Sequence, residues 1–294
     1  MLGKLIKVEW KATKRIFFPL YIAIALIAII NGIFFHFSDK GFRLWAENGV
    51  LNTQVGSQIE EIVSSLIPYM QLLFLILYIG IVIGAGLISI FVTFQRYYKN
   101  VLGQEGYLMN TLPVKSWELI LSKGILSSIW TIASALVVMI SFFVMMMITE
   151  PTIIGSFARV INSDFIDLSF GIWNLIAFLI EFFIVALISC WMFSMKAYAA
   201  MSLGHLIQKH RLIGAIGFYI AIDFAESMVG MILLVLGTVL FSNSLVEFAD
   251  NMTQGQAIGM VHLIFIGSIC LNLIVGFIYF MISKNILDKK LNLE

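Results

Sequence analysis

Six long apolar segments constrain this chain more than any other feature of its sequence. One of them, LLFLILYIGIVIGAGLISIFVTF at residues 72–94, carries no charge. A bilayer core of about 30 Å is crossed by roughly 20 apolar helical residues. Six segments meet that length: Phe17–Phe37, Leu66–Phe94, Ile125–Ile148, Ile172–Met195, Leu212–Phe241 and Ile258–Ile282. The chain is 61% hydrophobic and 12% charged, which is too apolar for a soluble domain. The sequence therefore predicts an all-α, polytopic membrane protein, with residues 1–294 as one transmembrane domain.

The distribution of lysine and arginine predicts the orientation of these spans. Fifteen of the 18 basic residues lie in the N-terminal segment, in the loops after spans two and four, or in the C-terminal tail. The opposite loops hold only Lys40, Arg43 and Arg159. We therefore expect both termini to be cytoplasmic, in a multi-pass protein of a bacterial plasma membrane.

The N-terminal segment, residues 1–15, has an amphipathic pattern. Its basic residues form one helical stripe, consisting of Lys4, Lys7, Lys11, Lys14 and Arg15. Leu2, Leu5, Ile6, Val8 and Trp10 occupy most of the remaining positions, and Glu9 is the one residue that interrupts the pattern. This arrangement is typical of a helix lying in the membrane interface. The alternative is a basic flank that marks the cytoplasmic side without forming such a helix.

The segment between spans two and three, residues 95–124, is of mixed polarity and is predicted to be cytoplasmic. Gly103 and Gly106 interrupt the continuation of span two, and Pro113 stops a helix begun at Glu105. The pattern predicts a short helix near residues 105–110, a bend, and a long helix entering span three. Leu108, Met109 and Leu112 would project from this cytoplasmic segment as apolar side chains, which usually need a partner to cover them.

This loop resembles the one between spans two and three in type-2 permeases of ATP-binding-cassette transporters. The resemblance is carried by Glu105-Gly106-Tyr107, by Thr111-Leu112-Pro113-Val114 and by Lys123, together with the layout of one amphipathic helix and six spans. It implies that a coupling helix docks on a separate ATPase subunit. The implied coupling residues are Glu105, Gly106, Tyr107, Leu108, Leu112 and Pro113. The loop between spans five and six departs from many relatives, because it has no evident re-entrant helical pattern.

By this resemblance the chain is a transport subunit and not an enzyme. We expect no cofactor in this chain, with ATP and magnesium on the partner ATPase, and a second permease copy or a sister permease to complete the pathway. No phosphate-binding G-x-x-x-x-G-K-[ST] motif, H-E-x-x-H or C-x-x-C occurs. Of the four histidines, His36 and His262 lie near predicted outer ends of spans, and His205 and His210 lie on one basic cytoplasmic loop. We therefore predict neither catalytic residues nor a metal site.

Three carboxylates interrupt the apolar spans and are candidates for a translocation pathway: Glu181, Asp223 and Glu226. Asp223 and Glu226 share a helical face. At 1.5 Å per residue, Glu181 and Asp223 are predicted at nearly the same depth. Lys196 is fifteen residues, or roughly 22 Å, from Glu181, so the sequence suggests no cation at that level. Such acids usually face a bundle interior or a cavity. The alternative is that they are protonated or bonded to neighbouring helices.

The predicted external loops are acidic and contain Asp39, Glu47, Glu60, Glu61, Glu150, Asp164, Asp167, Glu247 and Asp250. Together with the intramembrane acids they suggest that the subunit exports a cationic or amphipathic compound such as an antimicrobial peptide. Two other functions remain open. One is an ATP-independent secondary transporter or channel that uses the intramembrane acids. The other is a sensor or immunity subunit that binds a ligand without transporting it.

Overall fold

The computed structural model describes residues 2–38, 54–103, 115–153, 155, 159, 171–207, 209–250 and 252–289. Throughout these residues the regular structure is helical and no strand occurs. The six principal helices are α1 (Leu2–His36), α2 (Gln54–Tyr97), α3 (Ser116–Thr149), α4 (Gly171–His205), α5 (Arg211–Asp250) and α6 (Gln254–Lys289). All six are long and apolar enough to cross a membrane, which confirms the predicted number of spans.

The helices extend beyond the predicted spans at most of their ends. The predicted interfacial segment is continuous with the first span, because α1 runs without a break from Leu2 to His36 and contains Pro19. Helix α2 continues into a π-helical turn at Tyr98–Leu102, which ends at Gly103 in an extended conformation. Gly103 therefore ends the helix after span two, as the sequence predicts. The other predicted breaker, Gly106, lies outside the described residues.

The chain divides into two compact units, and α1, α2 and α3 contribute to both. Unit 1 comprises residues 1–12, 91–132 and 166–294. Within it, α4 packs against both α5 and α6. Its core includes Tyr97, whose ring stacks on Tyr198 at 4.0 Å and whose hydroxyl bonds with Ser202 Oγ at 2.8 Å.

Unit 2 comprises residues 13–90 and 133–165, and hydroxyl groups join its helices. Ser134 Oγ of α3 lies 2.9 Å from Tyr21 Oη of α1 and 3.2 Å from Ser89 Oγ of α2. Tyr78 Oη and Ser141 Oγ are 2.8 Å apart. Hydrogen bonds of this kind hold neighbouring helices together where lipid supplies no hydrophobic drive for association.

A glycine contact brings the end of α4 against the start of α5. A Cβ atom added to Gly204 would lie 2.2 Å from the backbone nitrogen of Ala215 and 2.4 Å from its Cα. Since backbone atoms cannot move aside as a flexible side chain can, only glycine permits this approach.

Gly204→Ala is expected to lower the free energy of unfolding by about 2 kcal/mol, as overpacking does in other tightly packed cores. Gly217→Ala is the matched control, because among the described residues nothing lies within 4 Å of its added Cβ. That control should be neutral or stabilising, since alanine favours helix over glycine by up to about 1 kcal/mol. Thermal unfolding in one lipid nanodisc compares the two, and equal midpoints would contradict the close approach.

Candidate functional site

The predicted coupling residues, Glu105 to Pro113, lie outside the described residues. The structure does describe the two ends that flank them, at Gly103 after the π-helical turn and at Lys115 before α3. Helix α3 begins at Ser116 with Glu118 in its first turn. The long helix predicted to follow the coupling segment is therefore present.

An ion cluster within unit 1 joins the helices on both sides of this segment. Among the described ion pairs, Glu9 of α1 is the only acidic residue in this cluster. It is buried, and 7% of its side chain is exposed. Its Oε2 lies 3.2 Å from Arg96 Nη1 at the end of α2. Its Oε1 accepts a hydrogen bond from Lys123 Nζ of α3, whose side chain is 3% exposed. The Arg96 guanidinium also donates to the Glu9 carbonyl oxygen at 3.2 Å.

Glu9 therefore holds Arg96 and Lys123, which flank the predicted coupling residues in sequence, to the N-terminal part of α1. The adjacent Trp10 stacks on Trp130 of α3 with ring centroids 4.6 Å apart, which reinforces the same attachment. In the sequence Glu9 is only an interruption in a basic stripe. The single acid among five basic residues was the sequence feature that could have indicated this cluster, because a carboxylate needs a partner when it is buried.

A second polar cluster joins α4, α5 and α6. Lys196 Nζ of α4 donates to Asp223 Oδ1 at 2.7 Å and to Glu226 Oε2 at 2.8 Å. The Tyr279 hydroxyl of α6 donates to Glu226 Oε1. Lys196 Nζ also lies 5.2 Å from the ring centroid of Tyr219, one helical turn before Asp223. The lysine side chain is 9% exposed, whereas the Asp223 side chain is 58% exposed.

The expectation that these acids have no cation at their level is therefore wrong. The distribution of lysine and arginine places Lys196 among the residues that flank the spans on the cytoplasmic side. Its long side chain instead bonds to both carboxylates of α5. It can do so because α4 and α5 pack side by side, so that residues 27 and 30 positions apart in sequence are neighbours.

Glu181 has a different partner. Its two carboxylate oxygens lie 2.8 and 2.9 Å from His262 Nδ1 of α6, and the His262 ring stacks on Phe178 at 4.3 Å. Glu181 and Lys196 are fifteen residues apart on α4, about 22 Å along the axis. Asp223 lies near the level of Lys196, because the two side chains are bonded. The prediction that Glu181 and Asp223 lie at nearly the same depth is therefore also wrong. The structure brings Asp223 and Glu226 together and places Glu181 in a separate pair.

An apolar pocket of about 490 Å³ lies within unit 1 beside the second cluster. Its walls come from α2 with its π-helical turn, from α4 and from α5. They are Phe91, Phe94, Gln95, Tyr98, Ala197, Ala200, Met201, Leu212, Ala215, Ile216 and Tyr219. Tyr219 belongs both to this wall and to the contact with Lys196. The pocket volume falls within the range of about 300–1,000 Å³ typical of small-ligand sites.

Among the described residues no group of three or more His, Cys, Asp or Glu side chains could hold a metal ion. Comparison with family models, with curated proteins and with solved structures finds no match. The two ion clusters and the apolar pocket are therefore the features from which a function can be argued.

Proposed function

We propose that this chain is the membrane-spanning permease subunit of an ATP-driven transporter of the ATP-binding-cassette type. Six helices of membrane-spanning length support the proposal, together with the resemblance of residues 105–123 to a permease coupling loop. In this proposal both termini are cytoplasmic, residues 1–15 lie at the membrane interface, and Glu105 to Leu112 contact the ATPase.

The observation that carries the proposal is the bonding of Glu9 to both Arg96 and Lys123. A loop that transmits force from a partner must be attached firmly to the helices that move. Arg96 stands before the coupling segment and Lys123 after it, and both bond to one buried carboxylate. A displacement of the segment would therefore be passed to α1, α2 and α3 together. The same Lys123 is part of the motif that carries the family resemblance.

The complete transporter would contain two permeases, as two copies or as a pair with a sister permease, and two ATPase subunits. ATP and magnesium would bind on the ATPases. Their closure would draw the coupling segments together and change which side of the pathway is open, as alternating access between two states requires.

A cationic or amphipathic cargo, such as an antimicrobial peptide, fits the charge of the second cluster. Lys196 faces two carboxylates, so the cluster carries excess negative charge when both are ionised. The Asp223 side chain is more than half exposed and accessible to a cation. Export is the direction that we propose for such a compound.

An ATP-independent transporter or channel is the second candidate, and the same cluster favours it. Lys196, Asp223, Glu226 and Tyr279 form a connected set of hydrogen bonds on three helices, which is the kind of group that relays protons or ions in membranes. A sensor or immunity subunit would instead keep the coupling segment and tolerate changes in this cluster.

The proposal predicts that an ATPase co-purifies with the intact chain from native membranes and is lost from the double variant Glu105→Arg/Leu108→Asp. The substitutions place a cation and a carboxylate where the proposed contact has an acid and an apolar group. Quantitative mass spectrometry of the purified complex should show at least a tenfold loss, because mutating central contact residues commonly costs about 2 kcal/mol or more.

The matched control is Asp288→Arg, which reverses one exposed charge near the C-terminus. It should retain the ATPase, since it lies outside the proposed contact. Absence of any ATPase from the intact, folded chain would contradict the proposal. Retention of the ATPase by the double variant would place the contact elsewhere.

A further inference from the structure

The apolar pocket in unit 1 has one end near the turn between α4 and α5. Tyr97 stacks on Tyr198 and bonds Ser202, so the adjacent Tyr98 lies beside the last turns of α4. Met201 and Leu212, on either side of the turn, complete that end. At the other end, the Phe94 ring lies 6.4 Å from Tyr219. The wall spans residues 212–219 of α5, which is about 10 Å along the helix axis.

The two ends of the pocket differ in their polar groups. Beyond Tyr219, Asp223 and Glu226 are already bonded to Lys196 and Tyr279. Beyond Leu212 lie Lys209, His210 and Arg211, and none of these three has an acidic partner among the described residues. Lys209 and His210 are exposed, and Arg211 is half-buried. The turn therefore places two basic residues next to the Leu212 end of an apolar pocket.

The pocket is open along one side to the surroundings of the helices. Phe91, Leu212 and Ile216 line it and each is more than half exposed. Its wall also holds two polar side chains, Gln95 on the last turn of α2 and Tyr98 on the π-helical turn that follows it. Tyr98 begins the π-helical turn, an irregularity that is rare in helices and frequent at functional sites. An elongated, amphiphilic ligand could enter laterally without displacing a helix.

We propose that this pocket binds one acyl chain of an anionic phospholipid, with the phosphate of the lipid at Lys209 and Arg211. The apolar wall accepts the chain, and the basic turn attracts the headgroup. Basic sites between membrane helices bind anionic headgroups in this way. The charge count predicts this turn on the cytoplasmic side, so the lipid belongs to the leaflet whose headgroups lie beside it. The proposal does not depend on an ATPase partner.

A cationic amphiphile is the competing ligand, with its charge at Asp223. The observed bonds favour the anionic lipid, because Lys196 already neutralises Asp223 in part, whereas Lys209 and Arg211 have no acidic partner among the described residues. The two ligands place their charges at opposite ends of the same pocket and can be distinguished by headgroup alone.

Photo-crosslinking with three probes tests this inference in nanodiscs of phosphatidylcholine containing the full chain. The probes carry the same diazirine-labelled acyl chain on phosphatidylglycerol, on phosphatidylcholine, or on a trimethylammonium headgroup. Mass spectrometry counts cross-links to the peptides that contain residues 91–98 and 197–201. We expect the phosphatidylglycerol probe to label them about thirtyfold more than the phosphatidylcholine probe, because each of two basic side chains attracts an anionic lipid by about 1 kcal/mol.

Lys209→Gln/Arg211→Gln should reduce that preference to near unity. Ile216→Trp should reduce labelling by the two phospholipid probes, because its ring fills the pocket. Ile220→Trp is the matched control, because Ile220 also lies on α5 but does not line the pocket. The two residues are similarly exposed, at 62% for Ile220 and 54% for Ile216. Equal labelling by phosphatidylglycerol and phosphatidylcholine would overturn the proposal, and so would stronger labelling by the trimethylammonium probe. If the double variant fails to fold, the probe preference of the unmodified chain still decides between the anionic lipid and the other ligands.

Discussion

Lys196→Met is expected to lower the free energy of unfolding by about 3 kcal/mol. The substitution leaves Asp223 and Glu226 close together on α5 without their cation. Removing one partner of a buried ion pair commonly costs about 3–5 kcal/mol, and the exposure of Asp223 places the effect at the lower end. Thermal or chemical unfolding in a defined nanodisc gives the change.

Removal of the uncompensated acids should restore most of the lost stability. The triple variant Lys196→Met/Asp223→Asn/Glu226→Gln has no unpaired charge in this cluster, and the new amide oxygen at position 226 can still accept from the Tyr279 hydroxyl. Lys289→Met, at an exposed lysine near the end of α6, is the control and should unfold as the unmodified chain does. If Lys196→Met were as stable as that control, the ion cluster would contribute nothing and its role would be misassigned.

Glu9→Gln is expected to lower the free energy of unfolding by a similar amount, about 3 kcal/mol. Here two cations lose their carboxylate, whereas in Lys196→Met two carboxylates lose their cation. Glu9→Gln leaves two cations, Arg96 and Lys123, beside one neutral amide, and the Lys123 side chain is almost fully buried. The loss should appear in unfolding and, under the proposed function, also in the amount of ATPase that co-purifies, because Arg96 and Lys123 flank the proposed coupling segment in sequence.

Lys123→Met provides the rescue for this site. In the double variant Glu9→Gln/Lys123→Met the buried lysine is gone, so stability should recover in part. ATPase association should recover less, since the link from Lys123 to α1 is then missing. Asp288→Asn removes an exposed acid and should change neither quantity. Full ATPase association in a destabilised Glu9→Gln variant would show that the cluster stabilises the fold without serving the coupling.

The spans could be predicted from the sequence because their cause is local. A run of about 20 apolar residues must form a helix in lipid, where each backbone polar group needs an internal partner. Each predicted span, except for Phe37 at the end of the first, lies within one of the six principal helices. The helix ends were harder to predict, and the residues flanking the spans, such as Lys196 and Lys123, proved to be helical and buried.

The partners of the charged residues could not be predicted, because they depend on which helices pack together and on their rotation. Periodicity relates Asp223 to Glu226 on one helix, but Lys196 is 27 positions before Asp223, and Lys123 is 114 positions after Glu9. Depth counting also failed for Glu181 and Asp223, since it assumed that each helix enters the membrane where its apolar run begins. The contact between His262 and Glu181 is of the same kind, since it joins two helices and no sequence pattern relates the two residues.

The most direct measurement replaces Leu108 with a photoreactive amino acid in living cells and identifies what is cross-linked to it. We expect a protein that binds ATP and whose sequence contains the phosphate-binding G-x-x-x-x-G-K-[ST] motif. The same substitution at Ile220 should give no such product. Cross-links from position 108 only to lipid, or only to another part of this chain, would contradict the central claim that this segment docks on an ATPase.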